Sequence, residues 1–315
     1  MKKKRILITG GSGLLGLNWA CLLRETWDVV LGTHRQEVCL SGVTTVPLAL
    51  TNTELLTRQL AAMAPDVIIH AAGMTSVDEC EIRHEEAKRV NVELSGYIAT
   101  AAAVLGIELV HISTDHLFQG QHSFIVESEP VSPLNYYGFT KAMAEERVQA
   151  VNPSALIIRT NFFGWGHVNR QSFSDWLIYN LRAGVPLTLF DDVFFTPILA
   201  DSLAIAVHKL LEKKAVGIFN VVGDERISKY EFAVKLSQHF ALPEKLIRRN
   251  QIVRAELLAA RPRDMSLSNK KVQLVLDGGL GTVDDFLIAL RQQELDGRRV
   301  ELYGAVSEYM KRTIS

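Results

Sequence analysis

The chain has 315 residues, 48% of them hydrophobic, and its 34 Lys and Arg against 35 Asp and Glu leave a formal net charge of -1. That length and apolar content suffice for a substantial core, and the near-neutral balance suggests no polyanion partner such as a nucleic acid. The apolar stretch after Lys2-Lys3-Lys4-Arg5 breaks at Gly10-Gly11-Ser12-Gly13, too early for an export signal, and no run is long enough to span a membrane.

The first element is an apolar strand, Arg5-Ile6-Leu7-Ile8, running into Thr9-Gly10-Gly11-Ser12-Gly13-Leu14-Leu15-Gly16 and then a helix from Leu14 to about Arg24. A glycine turn between strand and helix is a phosphate cradle. Gly10 takes a dihedral that a side chain would forbid, Gly13 clears the approach of the phosphates, and Gly16 lets the helix pack closely. The main chain of Ser12, Leu14 and Leu15 then presents amides and the positive helix end to an anion. The second strand, Asp28 to Gly32, ends in Thr33-His34-Arg35. A carboxylate at this point would hold both ribose hydroxyls of NADH. Its absence, with Arg35 available to a 2′-phosphate, favours NADPH, while NADH stays possible.

Further strands read at Val43–Val46, Asp66–His70, Leu109–Ser113 and Ala155–Arg159, and further helices at Thr53–Met63, Glu85–Leu105 and Tyr137–Val151. Continuously apolar strands separated by helices predict an α/β fold, a Rossmann-type doubly wound parallel sheet covered on both faces. Ligands in such sheets sit beyond the carboxyl ends of the strands, so Gly10, Ala71, Ala72, Gly73, Ser113, Thr114, Thr160 and Asn161 should share one rim. We expect a dinucleotide-binding domain over 1–160 with a returning segment at about 196–227. A smaller α/β substrate lobe would comprise 161–195 and 228–315. Within these, Phe173–Ala183 and Asp201–Leu211 read as helices and Gly217–Val222 as a strand. Thr282–Arg291 and Val300–Lys311 show a helical period in a tail that would cap the substrate lobe or form a subunit contact.

Tyr137 and Lys141 stand one helical turn apart. A ketone accepts hydride readily only if its oxygen receives a proton, and a free phenol with pKa near 10 is a poor donor at neutral pH. Lys141 would lower that pKa and also bond the nicotinamide ribose. Thr114, with Ser113 as second choice, would hold the substrate oxygen beside the phenol. His34, His70, His84, His111, His116, His122 and His167 show no metal-ligand spacing, and neither do Cys21, Cys39 and Cys80, so no metal is expected. The odd, widely spaced cysteines fit reduced thiols, and with the missing export signal they fit a cytoplasmic protein.

These motifs, with Pro65 to Gly73, Thr75-Ser76-Val77-Asp78, Ser113 to Phe118, Pro133 to Lys141, Arg159 to Gly164, Gly217 to Gly223 and Arg261-Pro262-Arg263, resemble the extended short-chain dehydrogenase/reductase superfamily. Within it they resemble the dTDP-4-dehydrorhamnose reductase family over about residues 1–275. The resemblance implies NAD(P)H-dependent reduction of a 4-keto-6-deoxy sugar on a nucleoside diphosphate. Thr114, Tyr137 and Lys141 would be catalytic. Gly10, Ser12, Gly13, Leu14, Leu15, Gly16, Thr33, His34, Arg35, Ala71, Ala72, Gly73 and Ser113 would join Tyr137 and Lys141 around the cofactor. Thr75, Thr114, Asp115, Asn161, Phe162 and Arg261 would meet the nucleotide sugar. The resemblance also implies a homodimer built on the helix bearing Ala99–Ala103 and the Tyr-Lys helix, and it puts Asn91 near the cofactor or in packing.

Several positions depart from the family pattern. Ala49 replaces an Asp that helps seat the adenine, Phe162 a Trp beside the sugar, and His116 a Tyr, and the loop between Thr114 and Tyr137 is trimmed. His116 also removes the Asp-Glu pair that a 4,6-dehydratase needs. Two alternatives stay open: a nucleotide-sugar epimerase, and a non-catalytic dinucleotide-binding subunit resembling the β subunit of methionine adenosyltransferase.

Overall fold

The computed structural model describes residues 3–34, 36–50, 52–254 and 257–306. In chain order the first half comprises β1 (Arg5–Thr9), α1 (Leu14–Leu23), β2 (Asp28–Thr33), β3 (Thr44–Pro47), α2 (Thr53–Met63) and β4 (Val67–His70). It continues with α3 (Val77–Ile82), α4 (His84–Lys88), α5 (Leu94–Leu105), β5 (Glu108–Ile112), α6 (Tyr136–Val151) and β6 (Leu156–Arg159). A strand at Gly217–Asn220 joins the edge beside β6. The sheet then runs, from that edge, β6, β5, β4, β1, β2, β3, and every pairing is parallel.

Burial explains this arrangement. Ile6 and Ile8, Val29 and Leu31, and Val67 and Ile69 enter one core, while the alternating Leu7, Val30 and Ile68 enter a second core on the opposite face. Strands buried on both faces need helices on both sides, which only the crossover connections of a doubly wound sheet supply. The strand order reverses between β1 and β4. That is the crevice where such folds take ligands.

The expected helix over 85–105 is interrupted. Residues Arg89–Glu93 form a π turn between α4 and α5, and the reason is Asn91. Its side chain accepts from the Met74 amide at 2.8 Å and donates to the Met74 carbonyl at 3.0 Å and the Thr140 hydroxyl at 2.9 Å. The widened turn aims one amide at the chain leaving β4 and at α6 together. Ala99, Ala101 and Ala102 of α5 are buried in the chain's own core, so their small size serves packing within the protomer.

Residues beyond β6 build the smaller part. The helix Phe173–Arg182 is followed by Leu187–Phe190, which pairs in parallel with Ile247–Asn250 against the helix Lys229–His239. The helix Ala200–Glu212 returns to pack on α1, and the helix Val283–Leu295 packs on Lys229–His239. The last helix spans Arg298–Tyr303, and the rest of the expected 300–311 element past Val306 lies outside the described residues. The tail also meets the loop after β2, where Val306 forms an antiparallel bridge with Val38. Among the described residues no helix is long and apolar enough to cross a membrane, and no group of His, Cys, Asp and Glu could hold a metal ion.

Candidate active site

The carboxyl ends of β1, β4, β5 and β6 open into a cleft of about 430 Å³. Gly10, Ser12, Gly13, Leu14, Leu15 and Gly16 form one wall, Ala71, Ala72 and Gly73 the next, and Ser113, Thr114 and Asp115 the floor. Gly10 has φ +69, and a Cβ there would meet the main chain of Ala72 at 2.8 Å. Only glycine satisfies both demands, so the turn after β1 and the end of β4 can touch. Gly13 caps α1 with no side-chain hydrogen bond, and the first turn carries no acidic residue. The amides at that helix end therefore face the cleft as donors for an anion.

Tyr137 and Lys141 project from the start of α6 into the same cleft. The Asn135 side chain caps this helix by accepting from the Gly138 amide at 2.9 Å. A Cβ on Gly138 would fall 2.2 Å from the His116 carbonyl oxygen. Glycine here lets the helix pass directly against the chain leaving β5, so that Tyr137 and Thr114 line the cleft together. Burial pushes the Tyr137 phenol up to about 12, with the Thr114 bond pulling down and the Asp115 charge pushing up. A neutral, proton-bearing phenol is the form this environment holds.

Lys141 lines the cleft beside Tyr137 and is held by the main chain. Its ammonium donates to the Ile112 carbonyl at 2.7 Å and lies 3.4 Å from His111 Nε2. Burial brings it down to about 8, opposed by the Glu145 charge. Beneath Tyr137 and Lys141 lies a buried polar column. His70 Nδ1 is 2.7 Å from the Thr9 hydroxyl and its Nε2 is 3.0 Å from the Ser95 hydroxyl. Burial, reinforced by the Lys141 charge, holds His70 down at about 3 and His111 well below the ordinary range.

Other sequence-derived residues divide clearly. Thr75, Asn161 and Phe162 line the cleft, and Asn161 Nδ2 donates to Asp115 Oδ2 at 2.5 Å. Thr33 is buried and His34 exposed, both outside the cleft lining, and Arg35 lies outside the described residues. Gln36 supplies that wall instead. Arg261 is drawn away by Asp78 at 2.8 Å and by the Ala259 carbonyl at 2.9 Å, so its fork faces a carboxylate on α3 and not the cleft. The segment 161–195, expected to reach over the active site, adds residues not singled out from the sequence: Arg170, Gln171, Ser172 and Phe173 cover the cleft, and Arg170 bonds the Thr75 hydroxyl across it. A usable signal was present, because Ser172 and Asp175 make a capping box at the start of the next helix. Three side-chain atoms facing this region, Ser113 Oγ, Thr160 Oγ1 and His116 Nδ1, are buried without a hydrogen-bond partner. Buried polar atoms are ordinarily satisfied, so these are open positions for a ligand.

The fold and the Thr-Tyr-Lys cleft define a Rossmann-type protein of the extended short-chain dehydrogenase/reductase class. Within that class the chain belongs to the family of the RmlD substrate binding domain, whose model matches residues 4–283. A probable low-salt glycan biosynthesis reductase, Agl14 of Haloferax volcanii, is 30% identical, over 90% of this chain and 96% of its own. The β subunit of methionine adenosyltransferase 2 from Rattus norvegicus is 28% identical, over 92% of this chain and 86% of its own. A hypothetical dTDP-4-dehydrorhamnose reductase from Sulfolobus tokodaii has a crystal structure that matches at a TM-score of 0.77 and 36% identity, covering 88% of this chain and 97% of that one.

Proposed function

We propose that the chain is a sugar-nucleotide ketoreductase: it reduces the 4-keto group of a nucleoside-diphosphate 4-keto-6-deoxy sugar, as a dTDP-4-dehydrorhamnose reductase does. The observation that carries this reading is the Tyr137 phenol, buried at the floor of one cleft that Thr114, Lys141 and the glycine turn also line. The residues present fit a nicotinamide dinucleotide. The uncapped start of α1 suits its pyrophosphate, and the unpartnered Ser113 and Thr160 hydroxyls suit its polar groups. When bound, the cofactor supplies hydride to the ketone carbon. Tyr137 gives its proton to the ketone oxygen as the alcohol forms, and Thr114 orients that oxygen beside the phenol. Lys141, freed from the Ile112 carbonyl, would return charge to a phenol that has lost its proton. We favour NADPH, because the end of β2 offers Thr33, His34 and Arg35 and no carboxylate.

In this reading residues 1–160 with about 196–227 carry the cofactor. Residues 161–195 and 228 onward carry the sugar nucleotide, with Thr75, Asp115, Asn161 and Phe162 facing it. The cytoplasm suits its three unpaired cysteines. A homodimer belongs to the same proposal, and the mass of the protein in solution tests it. The resemblance to a methionine adenosyltransferase subunit favours a binding role, but the intact Thr114, Tyr137 and Lys141 set in one cleft supports turnover. Oxidation of NADPH on addition of dTDP-4-keto-6-deoxy-hexose is the test. Tight dinucleotide binding without oxidation of NADPH would move the binding role forward.

A further inference from the structure

Past residue 283, where the family match ends, the chain meets both sides of the cleft mouth. On one side Val306 bridges to Val38, and the Cys39 amide donates to the Ala305 carbonyl at 2.7 Å. Gln36, two residues before Val38, stands on the cleft wall at the end of β2. On the other side the Val168 amide donates to the Tyr303 carbonyl at 3.4 Å. Two residues later Arg170 lines the cleft and bonds Thr75 across it, while the His167 ring faces the main chain of Ser12 in the glycine turn.

The segment is firmly anchored. Leu302 is 0% exposed, Ala305 1% and Val306 3%, all within the main core. Glu301 pairs with Arg24 at the end of α1, and the same Arg24 donates to the Ser41 carbonyl at 3.2 Å. Arg298 reaches Asp201 at 3.4 Å. Loops with few contacts of their own are placed by whatever holds them, and a ligand bound between pre-placed walls loses less freedom on binding. Here one segment holds two walls.

We infer that residues 298–306 are a positioning element of the cofactor site, fixing the loop at 36–41 and the loop at 166–172 at one separation so that the adenosine and pyrophosphate half of a dinucleotide is gripped. The inference rests on the reading of the cleft as a dinucleotide site. It assigns to the tail an effect on nucleotide affinity and none on proton donation.

Calorimetric binding of NADP+ and of ADP to the full chain tests this. Leu302→Ala opens space under the last helix, and Glu301→Gln removes the charge that holds Arg24 without leaving a cavity. We expect about tenfold weaker binding of both nucleotides in Leu302→Ala and about threefold in Glu301→Gln, with turnover at saturating NADPH within about twofold of the parent. Parental affinity for both nucleotides in both variants would overturn the inference. So would turnover falling in step with affinity, which would mark a general structural defect. Measuring the unsubstituted chain first separates the two claims: if it binds no dinucleotide, the functional reading fails and takes this inference with it.

Discussion

The floor of the cleft and its cover are held in different ways. The floor is built from strand ends tied into the parallel ladder, where the Ser113 amide continues onto the Ile158 carbonyl at 2.7 Å and α6 is capped by its own Asn135. The cover, residues 165–173, hangs on partners far away in sequence. Asn18 Nδ2 donates to the Trp165 carbonyl at 2.7 Å, Arg170 reaches Thr75, and Val168 leans on Tyr303. The strand ladder and a helix cap place the groups that do chemistry, and packing from outside the sheet places the cover. Changes to the floor should therefore alter turnover, and changes to the cover or its supports should alter affinity.

The sharpest break of this contrast is Tyr137→Phe, which removes the proton and keeps the ring. Turnover should fall by about 10²- to 10⁴-fold with NADP+ affinity unchanged, measured by steady-state kinetics and calorimetry. Arg159 and Glu145 form a buried pair at 2.8 Å that fastens α6 to β6. Arg159→Met would strand the carboxylate in the core and should lower stability by about 3–5 kcal/mol in urea unfolding. Gly138→Ala forces a methyl against the His116 carbonyl, parting Tyr137 from Thr114. We expect about 10²-fold lower turnover, with a smaller change in the KM for NADPH.

The smallest effect is on acid stability. Burial lowers His70 to about 3 and His208 to about 4 from an ordinary 6.5, so between these values and 6.5 the unfolded chain binds protons that the folded chain refuses. Their contribution is complete above pH 6.5 and is lost as pH falls toward 3 to 4. The melting temperature should drop between pH 7 and pH 5, and His70→Asn should flatten that drop.

The same contrast explains what could be read from the sequence. The glycine turn, the strands of the first half and the Tyr137–Lys141 spacing obey short-range rules of dihedral, period and helical repeat, and α2 emerges at Thr53–Met63 as expected. The interruption of the 85–105 helix was not legible, because it depends on Asn91 reaching Met74 and Thr140 across the fold. Arg261 was assigned to the substrate by resemblance, but its partner Asp78 lies on α3, an element with too short an apolar pattern to register. Spacing alone says nothing of the Ile112 carbonyl that holds the Lys141 ammonium. The cover loop had a capping box to mark its end, yet nothing local to say that it folds over Thr75.

The most direct test of the central claim is isotopic. NADPH carrying deuterium at the transferable position of the nicotinamide should be turned over with dTDP-4-keto-6-deoxy-hexose, and the sugar product analysed by mass spectrometry and proton NMR. The account predicts deuterium at carbon 4 of the sugar with the parent chain and at least about 10²-fold less in the same time with Tyr137→Phe. A chain that binds NADPH tightly yet leaves the sugar unlabelled would contradict it.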